Sequence, residues 1–385
     1  MYPDFSYIFH DLFGTPVDNW TQIFKTFGLF LVFAIISASI ILRNELKKLA
    51  AAGKFKPQIE YKIIGEQPKF SDLIGNAILG FIIGYKGGII LSDFDTFRQD
   101  PAAALMSTEG NLLLGVLGLG VFAAYKYWEI KRKALPKPVK ESVEVFPHNK
   151  IGEITVYAAV SGVIGAKLFA VLETPAEFLE RPLEMLFSGA GLAIYGGLIG
   201  GFFGVRYYLK RNNIPFLYVA DAVAPALFIA YGVGRLGCHF SGDGDWGIVA
   251  ASIPEWWFLP EWLWSYDYPN NVAKAGVLME GCSGIYCKHL VPPVYPTPIY
   301  EMLMSMLLAF ALIKIRPRLK VPGMLFAIYM IMNGVERFFI EKIRVNVTYD
   351  WPLGLQPTQA EVISVIFILI GLLLVYLLRS GKLKN

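Results

Sequence analysis

Charge is scarce in this chain. Of its 385 residues only 17% are Asp, Glu, Lys or Arg, against about a quarter in soluble proteins. Hydrophobic residues make up 55%. That balance excludes a soluble globular domain, and the long apolar runs predict an all-α polytopic membrane protein. Cysteine is scarcer still, and three residues are too few for a disulfide scaffold. The formal net charge is only +4, with no basic tract and no RNA-binding motif, which excludes nucleic acid as a partner. The opening stretch MYPDFSYIFHDLFGTPVDNW lacks the basic start of a cleavable signal peptide.

Membrane-length apolar runs fall at about 27–42, 72–92, 111–128, 151–172, 188–209, 216–238, 299–315, 321–340 and 361–379. The run 151–172 is only moderately apolar, and taken alone it also fits a surface helix. Loop charge orders the runs. Asp4, Asp11 and Asp18 precede the first, and Arg43, Lys47, Lys48, Lys54 and Lys56 follow it. Asp93 and Asp95 follow the second, and a basic group from Lys126 to Lys140 follows the third. The alternation continues to Arg379, Lys382 and Lys384, with Lys342 and Arg344 in loop 341–358 as an exception. The positive-inside rule then predicts nine spans, with the N-terminus outside and the C-terminus cytoplasmic. Trp256, Trp257, Trp262 and Trp264 in the long loop 241–298 read as an interfacial aromatic belt.

One stretch concentrates the chemistry: Tyr231-Gly232-Val233-Gly234-Arg235-Leu236-Gly237-Cys238-His239-Phe240. Arg235 stands where the sixth run leaves the membrane. A charged residue at a bilayer centre costs at least about 2.5–3.5 kcal/mol, so a carboxylate, carbonyls or a lipid phosphate must offset it. Gly232-x-Gly234-x-x-Gly237 matches the dinucleotide fingerprint, but that motif needs a strand before it and a βαβ unit around it. Neither is present, and a nucleotide-binding role is excluded. In the fifth run Gly196, Gly200 and Gly204 recur every four residues, with Gly197 and Gly201 beside them. This is the pattern of close helix packing, and Gly196 and Gly197, level with Arg235, are also candidates to line a lipid site.

Four ordered stretches carry a resemblance. They are Gly191-Leu192-Ala193-Ile194-Tyr195-Gly196-Gly197, Gly234-Arg235-Leu236-Gly237 with Gly242 and Trp246-Gly247, Tyr295-Pro296-Thr297-Pro298-Ile299-Tyr300-Glu301, and Glu336-Arg337-Phe338-Phe339-Ile340-Glu341-Lys342-Ile343-Arg344. Together they resemble the prolipoprotein diacylglyceryl transferases of the bacterial inner membrane. Gly162-Val163-Ile164-Gly165-Ala166-Lys167-Leu168 looks like a Gly-Ala-Arg-Leu segment of that family, with Lys167 in place of Arg. The resemblance covers about 150–380. It implies a core over 149–385 with outer loop 241–298, a first helix within 1–59, and a two-helix addition over 60–148 that the usual seven-helix members lack.

The reaction so implied moves the diacylglyceryl group of phosphatidylglycerol to the lipobox cysteine of a preprolipoprotein. It leaves a thioether and glycerol 1-phosphate. No metal or cofactor is expected. Arg235 and Arg337 are the expected phosphate ligands, because guanidinium matches phosphate in bidentate geometry. Glu341, four residues from Arg337, is expected to orient Arg337 or Arg344, with an ordinary intrahelical pair as the simpler reading. Tyr195 stands where the family often has His, and either accepts the thiol proton or hydrogen-bonds the phosphate. His239 follows Cys238, which stands at a position often held by Asn; it is a second candidate base or a helix-end histidine. Lys167, Gly196, Gly197, Gly247, Tyr300, Glu301 and Arg344 complete the expected substrate-binding set. Glu301 also suits a helix N-terminus by charge alone. Arg235 has a structural alternative, a pair with Asp221 or Glu341. Asp243 and Asp245 read as a polar turn rather than a cation site. Lys86 is expected to pair with Asp72, Asp93 or a lipid phosphate. Cys282 and Cys287 fit a disulfide in an oxidising compartment, with zinc beside His289 as the lesser alternative. Cys238 reads as a small buried residue. Two other classes stay open: a phospholipid transporter using the same headgroup site, and a paralogue that binds lipid without catalysis.

Overall fold

The structure is a computed structural model that describes the chain except for residues 95–96, 98–103, 105–106, 188–192, 283, 347, 350–355 and 384–385. The start of the fifth expected span with Gly191 and Leu192, and the loop charges Asp95 and Lys384, lie outside the described residues. The long helices are α1 Phe5–Phe13, α2 Thr26–Ala51, α3 Phe70–Ser92, α4 Leu112–Lys133, α5 Ile151–Glu173, α6 Ile194–Arg211, α7 Phe216–Ser241, α8 Thr297–Ile315, α9 Met324–Ile340 and α10 Gln359–Arg379. Among the described residues, seven helices are long and apolar enough to cross a membrane, namely α2, α3, α4, α5, α7, α8 and α10. The moderately apolar run 151–172 is thus one of them, as α5. The other two expected spans are the shorter helices α6 and α9, of 18 and 17 residues. The fold is not purely helical. Strand β1 Gln58–Ile64 pairs antiparallel with β2 Val139–Val145, and β3 Val277–Leu278 pairs with β4 Lys288–His289.

The chain divides into two compact units, residues 55–212 and the remainder. In unit 55–212, β1 and β2 close the base of a helical hairpin, with Gln58 opposite Val145 and Ile64 opposite Val139. α3 and α4 pack backbone to backbone. A Cβ on Gly80 would strike the Gly118 carbonyl, and one on Gly84 would strike the Leu114 carbonyl. Lys86 donates to the carbonyls of Ser107 and Glu109. The expected carboxylate or lipid phosphate is replaced by backbone oxygens of the loop that follows. α5 and α6 form a second glycine-packed pair, in which Gly165 and Gly196 approach each other and Gly200 meets the Ser161 carbonyl. Such contacts substitute for the hydrophobic effect, which does not drive helices together in lipid.

The other unit holds α1, α2 and α7 to α10. Its core is Ala224, Phe228, Ala309, Leu312 and Leu325, from α7, α8 and α9. Small residues again set the approaches: Gly237 lies on Phe30 of α2, Gly232 on Ser305 of α8, and Gly334 on the Ser364 carbonyl of α10. Asp221 of α7 accepts from the backbone N–H groups of Gly323 and Phe326 at 2.7 and 2.9 Å. It therefore caps the start of α9, satisfying donors that a helix N-terminus leaves open. The expected Cys282–Cys287 disulfide is formed. Its loop ties down the N-terminal segment, since Ile285 N–H donates to Asp18 at 2.8 Å and Tyr286 N–H to Tyr7 at 3.2 Å. His289 sits 3.0 Å from Asp267, which gives it a partner other than zinc.

Candidate functional site

Helix spacing begins the site. Tyr231, Arg235 and Cys238 follow each other at four and three residues on α7, so they share one face. Glu301 lies in the second turn of α8 and its side chain is 0% exposed. On α9 and the 3₁₀ turn after it, Arg337 and Glu341 are four apart, and Arg344 closes the turn. A strand-like bridge then fixes Arg344. Gly247 opposes it in antiparallel pairing, and Ile248 N–H donates to the Ile343 carbonyl at 2.8 Å. A side chain at Gly247 would collide with that carbonyl and with Thr297. Gly247 is buried with its N–H given to the Tyr295 carbonyl, so it acts on the site by letting Arg344 in.

These elements converge on Glu301. Its Oε2 is 2.9 Å from Arg235 Nε and 3.2 Å from Arg337 Nη1, and its Oε1 is 2.7 Å from Arg344 Nη1. The Tyr231 hydroxyl donates to the same carboxylate. Arg337 forms a second ion pair with Glu341 at 3.1 Å, and Arg344 Nε lies 4.0 Å from Glu341. Asp245 closes the ring by bridging Arg235 and Arg344, the latter at 2.5 Å. The Arg235 guanidinium also lies 5.0 Å from the centroid of the Tyr231 ring. Three guanidiniums and three carboxylates thus form one network, buried at Glu301, Glu341 and Arg344 and open to solvent at Asp245. Burial pushes the Asp245 carboxyl up, but Arg235 and Arg344 outweigh it and hold Asp245 below the usual carboxylate range. Asp243 is raised instead, by burial first and then by repulsion from Asp245.

Four of the expected residues meet here with Glu301: Arg235, Arg337, Arg344 and Glu341. The structural alternative for Arg235 is corrected in its partners, which are Glu301 and Asp245 rather than Asp221 or Glu341. Tyr300 is turned to the long loop, donating to the Leu263 carbonyl at 2.6 Å. His239 is buried among Phe240, Tyr266 and Tyr268, with Nδ1 3.2 Å from the Tyr268 hydroxyl. Its described contacts are with these rings, and none of them is with an arginine. Lys167 and Tyr195 belong to unit 55–212. Lys167 donates to the Met185 carbonyl at 2.9 Å. Gly196 is taken up by its contact with Gly165, and Gly197 lies at ordinary distance from the Gly162 carbonyl.

Sequence reasoning missed two members. Asp245 passed for part of a turn, since its flanking glycines fit that equally well. Tyr231 was findable, because a phenol one helical turn before a buried arginine is a natural donor to that arginine's carboxylate. Cys238 is buried as expected, yet not apolar in its contacts, for Sγ is 3.6 Å from Asp245. Glu336 is a further buried carboxyl, and neither oxygen has a hydrogen-bond partner among the described residues.

A ring of preorganised guanidiniums fits an anion with several oxygens on one atom, and phosphate is the common case. Comparison with known proteins agrees with that chemistry. Residues 112–377 match the family described as prolipoprotein diacylglyceryl transferase. A protein of Staphylococcus haemolyticus named phosphatidylglycerol–prolipoprotein diacylglyceryl transferase is 30% identical over 228 residues, which cover 59% of this chain and 72% of the relative. One of the same name from Dehalococcoides mccartyi is 27% identical over 274 residues, 70% of this chain and 89% of the relative. A third, from Clostridium perfringens, is 29% identical over 243 residues, 62% of this chain and 82% of the relative. With its family match spanning more than half its length and its arginine ring built from the matching motifs, this chain belongs to the prolipoprotein diacylglyceryl transferase family.

Proposed function

We propose that this protein transfers the diacylglyceryl group of phosphatidylglycerol to the lipobox cysteine of preprolipoproteins. The observation that carries the proposal is the ring of Arg235, Arg337 and Arg344 on buried Glu301. In the reaction the cysteine sulfur bonds to the glyceryl carbon, the carbon–oxygen bond to phosphate breaks, and the phosphate leaves as glycerol 1-phosphate. Negative charge grows on the leaving phosphate as that bond breaks. Guanidiniums fixed in advance stabilise it without reorganising, which is the usual source of a large rate gain. Glu301 and Glu341 hold the guanidiniums in place. A free thiol has a pKa of about 8.5 and must lose its proton to attack. Tyr195 is the residue that the family resemblance leaves for that proton or for the phosphate. Lys167, Gly196 and Gly197 enter as lipid-contacting residues on the same ground. The chemistry calls for no cofactor.

On this reading the chain crosses the bacterial inner membrane nine times, α6 and α9 completing the count. The N-terminus lies outside and the C-terminus in the cytoplasm, as the alternation of basic loops supports. Residues 60–148 form the added two-helix segment, and 149–385 the catalytic core. The test is mass spectrometry of a lipobox peptide incubated with purified protein in phosphatidylglycerol vesicles. A diacylglyceryl mass gain on the cysteine is expected. It should fall at least about a hundredfold with Arg235→Ala, the scale set by removing one transition-state donor. Unmodified peptide beside protein that still binds the lipid would instead identify a binding paralogue.

A further inference from the structure

The carboxylates of the ring are not equivalent. Glu301 and Glu341 have side chains 0% exposed, whereas that of Asp245 is 36% exposed, against 13% for Arg235 and 4% for Arg344. Asp245 therefore lies at the open edge. It is also the carboxylate that spans two guanidiniums with its two oxygens, Oδ2 toward Arg235 and Oδ1 toward Arg344. The two non-bridging oxygens of a phosphodiester would make the same pair of contacts.

We propose that Asp245 is a stand-in anion, holding the phosphate-binding donors of Arg235 and Arg344 until the lipid phosphodiester displaces it. The proposal rests on the reading of this ring as the phosphate site. Charge balance supports it. Three guanidiniums paired with three carboxylates are neutral, and an added phosphodiester would leave the ring with excess negative charge, which is costly where water is excluded. Rotating one carboxylate out to solvent restores the balance. Asp245 is the member able to do so. Its backbone stays fixed, with the carbonyl accepting from Thr297 Oγ1 at 3.0 Å and the N–H donating to Asp243 at 3.2 Å. Only the side chain need turn. Neither arginine is then left unpaired, because both keep Glu301. A built-in competitor keeps the donors preorganised and excludes anions that cannot engage both guanidiniums. Its return would help expel the product.

The experiment uses the full chain in detergent micelles and reads two quantities. Isothermal titration gives Kd for glycerol 1-phosphate and for inorganic phosphate, and the transfer assay gives KM and kcat for phosphatidylglycerol. Asp245→Asn is expected to lower Kd for both anions about tenfold and to lower KM in parallel. Asp245→Glu should behave as wild type, and Glu255→Gln, at an exposed position of the same loop, should change neither constant. Asp245→Ala serves as a second variant should the amide disturb folding. Unchanged or weaker anion binding in both the Asn and Ala variants would overturn the proposal, even if wild type transfers. A gain for glycerol 1-phosphate without one for inorganic phosphate would also overturn it, by moving the contact to the glycerol. Tighter binding of both anions to a protein with no transfer activity would keep this proposal and defeat the proposed function.

Discussion

At the scale of single residues, Glu301 decides the site. One carboxylate with no exposure accepts from Tyr231 and faces three guanidiniums. A buried pair is weak evidence for stability as a whole, but removing one partner strands the others. Glu301→Ala is therefore expected to cost about 3–5 kcal/mol and to abolish transfer. Thermal unfolding in detergent, followed beside the peptide assay, checks both. Arg337→Lys tests geometry rather than charge. Arg337 divides its two terminal nitrogens between Glu301 and Glu341, and an ammonium cannot copy that fork. Transfer should fall more than tenfold, with membrane insertion intact. His239→Gln is expected to keep the pH profile of transfer and lose about 1 kcal/mol of stability through its contact with Tyr268. A lost limb in that profile would restore the base.

At the scale of elements, glycine faces stand in for large side chains. Gly165 of α5 lies against the Gly196 carbonyl and the Gly200 backbone of α6. Gly165→Val should splay that pair and cost about 1–3 kcal/mol, the usual range for overpacking, read as a lower unfolding temperature and a smaller amount of protein in the membrane. Much at this scale was legible beforehand. Among the described residues seven of the apolar runs recur as helices long enough to cross a membrane, because lipid demands both an apolar surface and internal backbone pairing. Helix ends were less legible. α2 continues through Arg43, Asn44 and Glu45 to Ala51, and polar residues past the lipid carry no apolar signal. The β1–β2 ribbon was missed because its partners lie about 75 residues apart, across two helices. Arginine and glutamate stood out in the candidate site, since charge is conspicuous in apolar sequence. Asp245 did not, because its partner Arg344 is brought to it by the Gly247 bridge, a contact between distant segments.

At the scale of the whole molecule, α3 and α4 form a hairpin that the β1–β2 ribbon closes at its base. The ribbon aligns Ile64 with Val139, so a two-residue Asn-Gly turn could join those strands in place of 65–138. Two spans would be removed, an even number, and every later segment would keep its side of the membrane. The shortened chain is expected to insert and to transfer the same group to the same peptide. Mass spectrometry of the peptide checks this, and an inactive but stable product would assign the helices a part in catalysis. Finally, Asp221 ties α7 to the start of α9 at one end of both helices, while Arg235 and Arg337 stand toward the other. The two helices are thus pinned to each other at the end away from the arginines. Fourteen residues separate Asp221 from Arg235, an arm of about 21 Å at 1.5 Å per residue. A rotation of about 5° at the pinned end would shift Arg235 by about 2 Å on such an arm, more than its bond to Glu301 tolerates, so the cap at one end guards the geometry of the ring at the other.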